Sequence, residues 1–189
     1  LGAPAIRHCT FRQNVCFGLG AGLYVSGIGA QGLVVEHCRF EKNLAVNSNG
    51  DARGGGMDVN NVKNAGVVIR ECFFIENTGD WTGGLGFQNS NGLVEGTTFS
   101  GNLTKRQGGA MRVGSNAGND NLTLKVRDCT FENNKASFGG GIHALLQSKK
   151  CVMEISNTKF LGNAVEDMQV SGWGQGAGGL SFAFPATSS

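Results

Sequence analysis

Proline, helical periodicity and long apolar runs are scarce or missing in this sequence. Its 189 residues include only two prolines, and no apolar run approaches the ~18 residues from which a membrane-spanning helix is built. We therefore expect no membrane insertion in this segment. No window shows the apolar spacing of an amphipathic helix of useful length, which excludes helical repeats of the tetratricopeptide or ankyrin kind.

A strong charge imbalance is also missing. The 16 Lys and Arg residues nearly balance the 14 Asp and Glu residues, the net charge is +2, and the only basic cluster is Lys149-Lys150. Proteins that bind nucleic acid usually carry a basic stripe or patch. The sequence therefore predicts no nucleic-acid partner.

No cofactor motif is recognisable. The six cysteines include no C-x-x-C, and the scattered histidines His8, His37 and His143 make no zinc pattern. The glycine runs do not match the phosphate-binding pattern G-x-x-x-x-G-K-[ST]. We expect no cofactor, and the one alternative is a weak Ca²⁺ site. Its candidate ligands lie among asparagines and glycines: Asp51, Asp80 and Asp120.

What the sequence does contain is an internal repeat. Each of six copies has a phenylalanine followed three residues later by an asparagine. The phenylalanines are Phe11, Phe40, Phe74, Phe99, Phe131 and Phe160. The asparagines are Asn14, Asn43, Asn77, Asn102, Asn134 and Asn163. Successive phenylalanines are 29, 34, 25, 32 and 29 residues apart, a period that fits one turn of a parallel β-helix.

The first half of each copy has further repeated positions. Two residues before the phenylalanine stands Cys or Thr, and five residues before it stands Val or Ile, so we expect both positions to be buried. The position four residues before it is predicted to face water. It reads Arg7, Glu36, Arg70, Glu95, Arg127 and Ser156. Because opposite charges on adjacent coils attract, this position predicts an ion-pair ladder, and a binding groove is the rival interpretation.

The second half of each copy begins with small residues, mostly glycine. A long aliphatic residue, a variable residue and another apolar residue follow. This alternation is typical of a strand with one buried face. Glycine supplies backbone angles closed to other residues and lets neighbouring backbone approach closely, so the 32 glycines agree with a repeat of tight bends.

These patterns predict an all-β chain, a single-stranded parallel β-helix of about six coils. The predicted coils are residues 1–32, 33–66, 67–91, 92–122, 123–150 and 151–184, with residues 185–189 as a linker or tail. Insertions at residues 46–53 and 165–176 are predicted to leave the same corner as loops. Such loops are where variable function usually lies.

In such a coil, equivalent residues stack at roughly 4.8 Å. We expect the phenylalanines to fill the interior by ring stacking. Each asparagine is expected to occupy a bend, to tolerate left-handed backbone angles there, and to bond to the next asparagine. Threonine replaces cysteine in two copies of one interior position, which favours buried free thiols over disulfides. The cysteines at that position are Cys9, Cys38, Cys72 and Cys129.

The paired signatures F-x-x-N and G-G-[AGL]-[ILM] resemble the repeats of chlamydial-type polymorphic outer-membrane proteins. A clear pair is Phe131-Glu132-Asn133-Asn134 with Gly140-Gly141-Ile142. More broadly, the chain is similar to the right-handed parallel β-helix, pectin-lyase-like superfamily, over nearly all of its length. The resemblance implies a right-handed coil, surface display, adhesion and sometimes self-association.

Two N-x-[ST] sequons begin at Asn102 and Asn121. Asn121 falls in a predicted loop and could carry a glycan, whereas Asn102 belongs to the repeated asparagine position, where a chance match is favoured. The chain begins with Leu1 rather than Met, and its last residues resemble a linker. We therefore expect a piece of a longer secreted chain, extracellular or at the cell surface.

The leading functional hypothesis is a non-catalytic repeat domain for adhesion or scaffolding, with surface or matrix glycans or proteins as partners. A second hypothesis is a filament segment with homotypic end-to-end association, because exposed edges of a parallel coil invite another strand. A third is a polysaccharide lyase or glycoside hydrolase, by analogy with other β-helices. A glycosidase needs two carboxylates about 5–10 Å apart, and the best candidates are Asp51 and Asp58.

Overall fold

The computed structural model describes residues 3–27, 32–116, 121–147, 150–166 and 176–183. These residues form 24 strands, numbered β1 to β24 in chain order, and no helix. Each predicted coil contributes four consecutive strands, one to each of four parallel six-stranded sheets. We call the four strands of one coil a rung. The predicted parallel β-helix is therefore confirmed.

The four sheets run the length of the coil. The first contains β1 (Ala5–Arg7), β5 (Leu33–Glu36), β9 (Val67–Arg70), β13 (Gly92–Glu95), β17 (Thr123–Arg127) and β21 (Val152–Ser156). The second contains β2 (Thr10–Arg12), β6 (Arg39–Glu41), β10 (Phe73–Ile75), β14 (Thr98–Ser100), β18 (Thr130–Glu132) and β22 (Lys159–Leu161). The third contains β3 (Val15–Cys16), β7 (Leu44–Ala45), β11 (Thr78–Gly79), β15 (Leu103–Thr104), β19 (Lys135–Ala136) and β23 (Ala164–Val165). The fourth contains β4 (Leu23–Ser26), β8 (Met57–Asn60), β12 (Leu85–Gln88), β16 (Met111–Ser115), β20 (Ile142–Leu146) and β24 (Leu180–Ala183).

The six repeated phenylalanines form one stack in the interior. Neighbouring ring centroids lie 4.6 to 5.1 Å apart, and the rings are within 11° of parallel. The stack packs against the Val and Ile residues of the first sheet and the inward-facing aliphatic residues of the fourth, such as Met57 and Leu85. Since each ring lies on its own equivalent in the next rung, the register of the second sheet is fixed by the side chains themselves.

The asparagine row is also as predicted, apart from its backbone angles. In all five neighbouring pairs, Nδ2 of one asparagine donates to Oδ1 of the asparagine on the next rung at 2.8 to 3.0 Å. The left-handed residue at this bend is the one before the asparagine, for example Lys42 and Asn133, so the prediction of left-handed asparagines is wrong. The asparagine side chain bonds to the neighbouring rungs, and the left-handed backbone angle falls on the residue before it, which is exposed or half-exposed in every rung.

The outward ion pairs and the interior thiols follow the sequence predictions. Glu95 pairs with Arg70 at 2.9 Å and with Arg127 at 2.7 Å, which continues the ladder that Arg7 and Glu36 begin. The hydrogen bond from Arg7 holds the pKa of Glu36 below its ordinary value. The four cysteines on the shared position are free thiols, and three of them are buried: Cys38, Cys72 and Cys129. Cys9 differs because no earlier described rung covers it, and it is exposed.

Candidate functional site

The outer face of the fourth sheet is the part of the molecule that departs most from the repeat. In each rung the variable residue after the long aliphatic residue points away from the core. Down the coil this outer row reads Tyr24, Asp58, Gly86, Arg112, His143 and Ser181, with neighbours paired in register. The phenylalanine and asparagine rows keep one residue type, whereas this row changes residue type at every rung.

Three side chains in this outer row are buried although they face outward. Asp58 is 1% exposed, His143 is 4% exposed and Arg112 is 8% exposed. Residues in the preceding bends cover part of the row: Arg112 lies over the Trp81 ring at 5.3 Å, and Phe138 lies 6.0 Å from His143. The bends therefore turn an outer sheet face into a partly enclosed polar site.

A cleft of about 690 Å³ opens along this face. Seven of its lining residues carry side-chain amides: Asn47, Asn60, Asn61, Gln88, Asn89, Asn116 and Gln147. Arg53, Arg112, Asp51 and Trp81 also line it. We call this the amide cleft. Its walls offer both donors and acceptors because each amide presents an NH₂ group and a carbonyl oxygen.

Arg112 is held in a fixed position by neutral partners. Its Nη1 donates to Oε1 of Gln88 at 2.8 Å, and its Nε donates to Oε1 of Gln107 at 3.0 Å. Gly114 leaves room for this arrangement, because a Cβ there would lie only 2.7 Å from Nη1 of Arg112. Burial lowers the pKa of Arg112 to about 10, so the side chain keeps its charge at neutral pH.

Asp58 lies two residues before Asn60, which lines the amide cleft, but Asp58 itself is not part of the lining. Neither of its carboxylate oxygens has a hydrogen-bonding partner among the described residues, and both are shielded from solvent. Gly86 provides the space that it occupies, because a Cβ at Gly86 would collide with Oδ1 of Asp58. Burial raises the pKa of Asp58 to about 6, although the charges of Arg53 and Arg112 act in the opposite direction. An unsatisfied buried carboxylate is costly, which makes this residue the least expected feature of the fold.

His143 continues the row below Arg112. Its Nδ1 lies 3.2 Å from Oγ of Ser181, and burial lowers the pKa of the imidazole to about 4. The ring is therefore neutral over the physiological range. The other two histidines stack on the outside of the coil, with the centroids of His8 and His37 5.0 Å apart.

The structure places the remaining predicted site residues as follows. Asp51 is exposed on the loop of residues 46–53 and accepts a hydrogen bond from Nδ2 of Asn47, while Asp58 is buried on β8. Asp80 Oδ2 accepts from the backbone N–H of Asn47 at 2.9 Å. Asp120 lies outside the described residues, as does most of the predicted insertion at 165–176. Within the described ranges, no group of three or more His, Cys, Asp or Glu side chains could hold a metal ion. Ca²⁺ binding stays a prediction.

The two sequons occupy different environments. Asn102 is fully buried and its Nδ2 donates to Phe74 and Asn134, so the folded coil leaves no room for a glycan there. Asn121 is exposed and left-handed, two residues before the strand Thr123–Arg127 begins. Glycosylation of Asn121 stays a prediction.

Sequence reasoning passed over Arg112, Trp81, Gln88 and the row that contains them. The variable position of the second half predicts only the outward side of a strand. Down the coil, however, this position carries an acid, a glycine, a base and a histidine on consecutive rungs, and that order was the available signal. Nothing in the sequence indicated that the bends would bury them.

The family model for a right-handed β-helix region matches residues 2–179. The match covers most of the chain, so the protein belongs to the right-handed β-helix family. No curated protein and no solved structure gives a significant match to the chain. Among the described residues, no helix has the length and apolar character needed to cross a membrane.

Proposed function

We propose that this β-helix is a non-catalytic, extracellular or cell-surface domain that binds glycan chains in the amide cleft, in an adhesive or scaffolding role. The observation that supports this proposal is the concentration of seven side-chain amides beside Trp81 and two arginines on one face of the coil. Sugar hydroxyls both donate and accept hydrogen bonds, and amides can satisfy both.

The shape of the site favours the same ligand class. The amide cleft is formed by residues from several successive rungs, so a ligand of several sugar units would contact one set of amides after another. Many of these amides are already ordered by their neighbours. Nε2 of Gln88, for example, donates to Oδ1 of Asn116 at 2.9 Å, and the backbone N–H of Asn116 donates to Asn89 at 2.7 Å. Preordered polar groups lose little entropy when a ligand binds.

The test is binding of the purified chain to a panel of immobilised glycans, followed by titration of the best ligand. A variant carrying both Asn60→Ala and Gln88→Ala should weaken binding by about tenfold or more. Asn64→Ala is the matched control, because Asn64 is exposed on a bend and does not line the amide cleft. The proposal would be contradicted if the chain bound no glycan, or if the double variant bound the best ligand as tightly as Asn64→Ala does.

A second candidate function is glycoside hydrolysis, which one observation favours. The pKa of Asp58, raised to about 6, suits a general acid. Asp51, which lines the amide cleft, would be its partner carboxylate. Reducing-end release from pectins, glucans and aminosugar polymers tests this candidate. Activity that is lost in Asp58→Asn would replace the non-catalytic proposal, and no activity on any of these polymers would remove the candidate.

A further inference from the structure

The two arginines that line the amide cleft differ from the other outward arginines of the coil. Arginines on the outer faces of the first and second sheets pair with glutamates, as Arg70 and Arg127 do with Glu95 at 2.9 and 2.7 Å. Arg53 and Arg112 line the cleft and form no ion pair with a carboxylate of any described residue. Two guanidinium groups whose charge is not neutralised by the fold are complementary to an anion.

Arg112 presents one guanidinium nitrogen to the cleft. Its Nη1 and Nε donate to the side-chain oxygens of Gln88 and Gln107, whereas Nη2 has no partner among the described residues. Among the described side chains, the polar atoms that lack both a partner and contact with solvent belong to Asp58 and Thr82, so Nη2 is open to the cleft. The side chain is otherwise buried and held by neutral oxygens, so this donor is in place, with its charge, before a ligand binds.

Arg53 supplies a second donor along the same wall. Its side chain is half-buried, lines the cleft and makes no hydrogen bond or ion pair with any described residue. Trp81 lies between the two arginines: its backbone N–H donates to Ala52 at 2.8 Å, and Arg112 lies over its ring at 5.3 Å. Burial lowers the pKa of Arg112, and the nearby charge of Arg53 lowers it further. An anion between the two guanidinium groups would relieve this repulsion.

We propose that Arg53 and Arg112 form a subsite for a sulfate ester on the glycan chain. The lining of the cleft carries two arginines and one aspartate, Asp51, and thus a net charge of +1 at neutral pH, which one sulfate ester balances. A carboxylate presents two oxygens in one plane and suits a single guanidinium. A sulfate ester presents three terminal oxygens in different directions, so it can accept hydrogen bonds from two guanidinium groups that come from different rungs.

Asp58 opposes a bound anion from behind the lining. Burial raises the pKa of Asp58 to about 6, and the charges of Arg53 and Arg112 act on it in the opposite direction, so this carboxylate lies within electrostatic reach of both arginines. An ionised Asp58 repels the anion, whereas a protonated Asp58 does not. A sulfate ester keeps its single charge at pH 5, but a phosphate ester gains a second charge near pH 6. Sulfate binding is therefore expected to be stronger at pH 5 than at pH 7.

This inference rests on the proposed glycan binding and names the group that the site selects. Titration calorimetry should compare a chondroitin sulfate hexasaccharide with the desulfated hexasaccharide, which has the same length, linkages and carboxylates. Wild-type protein is expected to bind the sulfated form at least about tenfold more tightly. Arg53→Ala and Arg112→Lys should each reduce this preference to about threefold or less. Arg12→Ala, which removes one positive charge from the outer face of the second sheet, should keep the wild-type preference.

A pH series tests the position of Asp58 behind the subsite. The affinity for the sulfated hexasaccharide should rise by at least about threefold from pH 7 to pH 5 as Asp58 is protonated, and it should be independent of pH in Asp58→Asn. The charged and titratable groups around Asp58 are Arg53, Arg112 and Tyr24, and arginine and tyrosine keep one charge state in this range.

Two further titratable groups lie near the subsite. Asp51 lines the cleft, and Asp51→Asn should keep the pH dependence of sulfate binding. His143 follows Arg112 in the outer row, and burial lowers its pKa to about 4, so it stays neutral between pH 5 and pH 7.

The outcomes distinguish the subsite from the proposed function. Equal affinity of wild-type protein for the two hexasaccharides overturns the subsite, and so does a preference that Arg53→Ala and Arg112→Lys leave unchanged. A loss of preference in Arg12→Ala as large as in Arg53→Ala also overturns it, because net charge alone would then explain the binding. Failure to bind either hexasaccharide while another glycan in the panel binds overturns the subsite and leaves glycan binding in place. Failure to bind any glycan overturns the proposed function itself.

Discussion

Nδ2 of Asn77 donates to Oδ1 of Asn102 at 3.0 Å, and both side chains are completely buried. The same Nδ2 donates to the carbonyl oxygen of Phe40 at 2.9 Å, while Oδ1 of Asn77 accepts from the backbone N–H and the Nδ2 of Asn43. The Asn77 side chain thus bonds to Asn43 and Phe40 on the rung before it and donates to Asn102 on the rung after it. The asparagine row carries the hydrogen bonds that close one bend of every rung.

Asn77→Ala is expected to lower the free energy of unfolding by about 3 kcal/mol, because it leaves the amide groups of Asn43 and the carbonyl of Phe40 without their buried partners. Urea unfolding followed by circular dichroism measures the change. Asn14→Ala is the matched control, since Asn14 is exposed on the first rung and only donates to Asn43. Equal losses in the two variants would contradict the claim that the buried hydrogen bonds of Asn77 stabilise the fold.

The interior thiols should be unreactive toward thiol reagents in the folded protein. Burial raises the pKa of Cys72 to about 12 and that of Cys129 to about 11, so almost no thiolate is present at pH 8. We expect a thiol reagent to label Cys9 under native conditions and to label Cys38, Cys72 and Cys129 only in denaturant. Peptide mass spectrometry after timed labelling measures this. Rapid native labelling of Cys72 would contradict its placement in the core.

The parts of the fold that the sequence predicts are those in which a residue contacts its own equivalent. Phe74 stacks on Phe40 and Phe99, so the same side chain recurs at each coil and the pattern is visible in one sequence. The ladder from Arg7 to Arg127 is visible for a related reason, because attraction between neighbouring rungs requires the charge to alternate. Periodicity reports these contacts directly.

The candidate site could not be predicted in the same way, because its contacts join unlike residues. Asp58 lies over Gly86 and the Arg112 guanidinium lies over Gly114, and the residues at these positions do not repeat from rung to rung. The glycine at residue 86 looks like any other in a chain with 32 of them. Its role depends on a carboxylate from the previous rung, which only the register of the fourth sheet shows.

Gly86→Ala should test that role. A Cβ at residue 86 would collide with Oδ1 of Asp58, so we expect a loss of about 1–3 kcal/mol in unfolding free energy. In an Asp58→Ala background the obstacle is gone, and the same glycine substitution should cost much less. The unfolding free energies of wild-type protein, the two single variants and the double variant form a complete double-mutant cycle. Additive costs would mean that the carboxylate does not occupy the space above Gly86.

Asp58 should also make stability depend on pH in a defined direction. Burial raises its pKa from 3.8 to about 6 in the folded chain, so folding is penalised whenever the group is ionised. The penalty is absent below about pH 4, grows as the pH rises through 6, and then stays constant at about 3 kcal/mol. Asp58→Asn should therefore stabilise the protein at pH 8 and make little difference at pH 4.

His143 affects the pH dependence of stability with the opposite sign, since its lowered pKa costs stability as the pH falls from 6.5 toward 4. Wild-type protein and Asp58→Asn share this cost, so it cancels when their unfolding free energies are compared. Asp51→Asn serves as the control, because Asp51 is exposed and its replacement should leave the difference near zero throughout. Urea unfolding at pH 4, 5, 6 and 8 provides the four comparisons. A stabilisation by Asp58→Asn that is the same at pH 4 and pH 8 would show that the substitution acts through packing rather than charge.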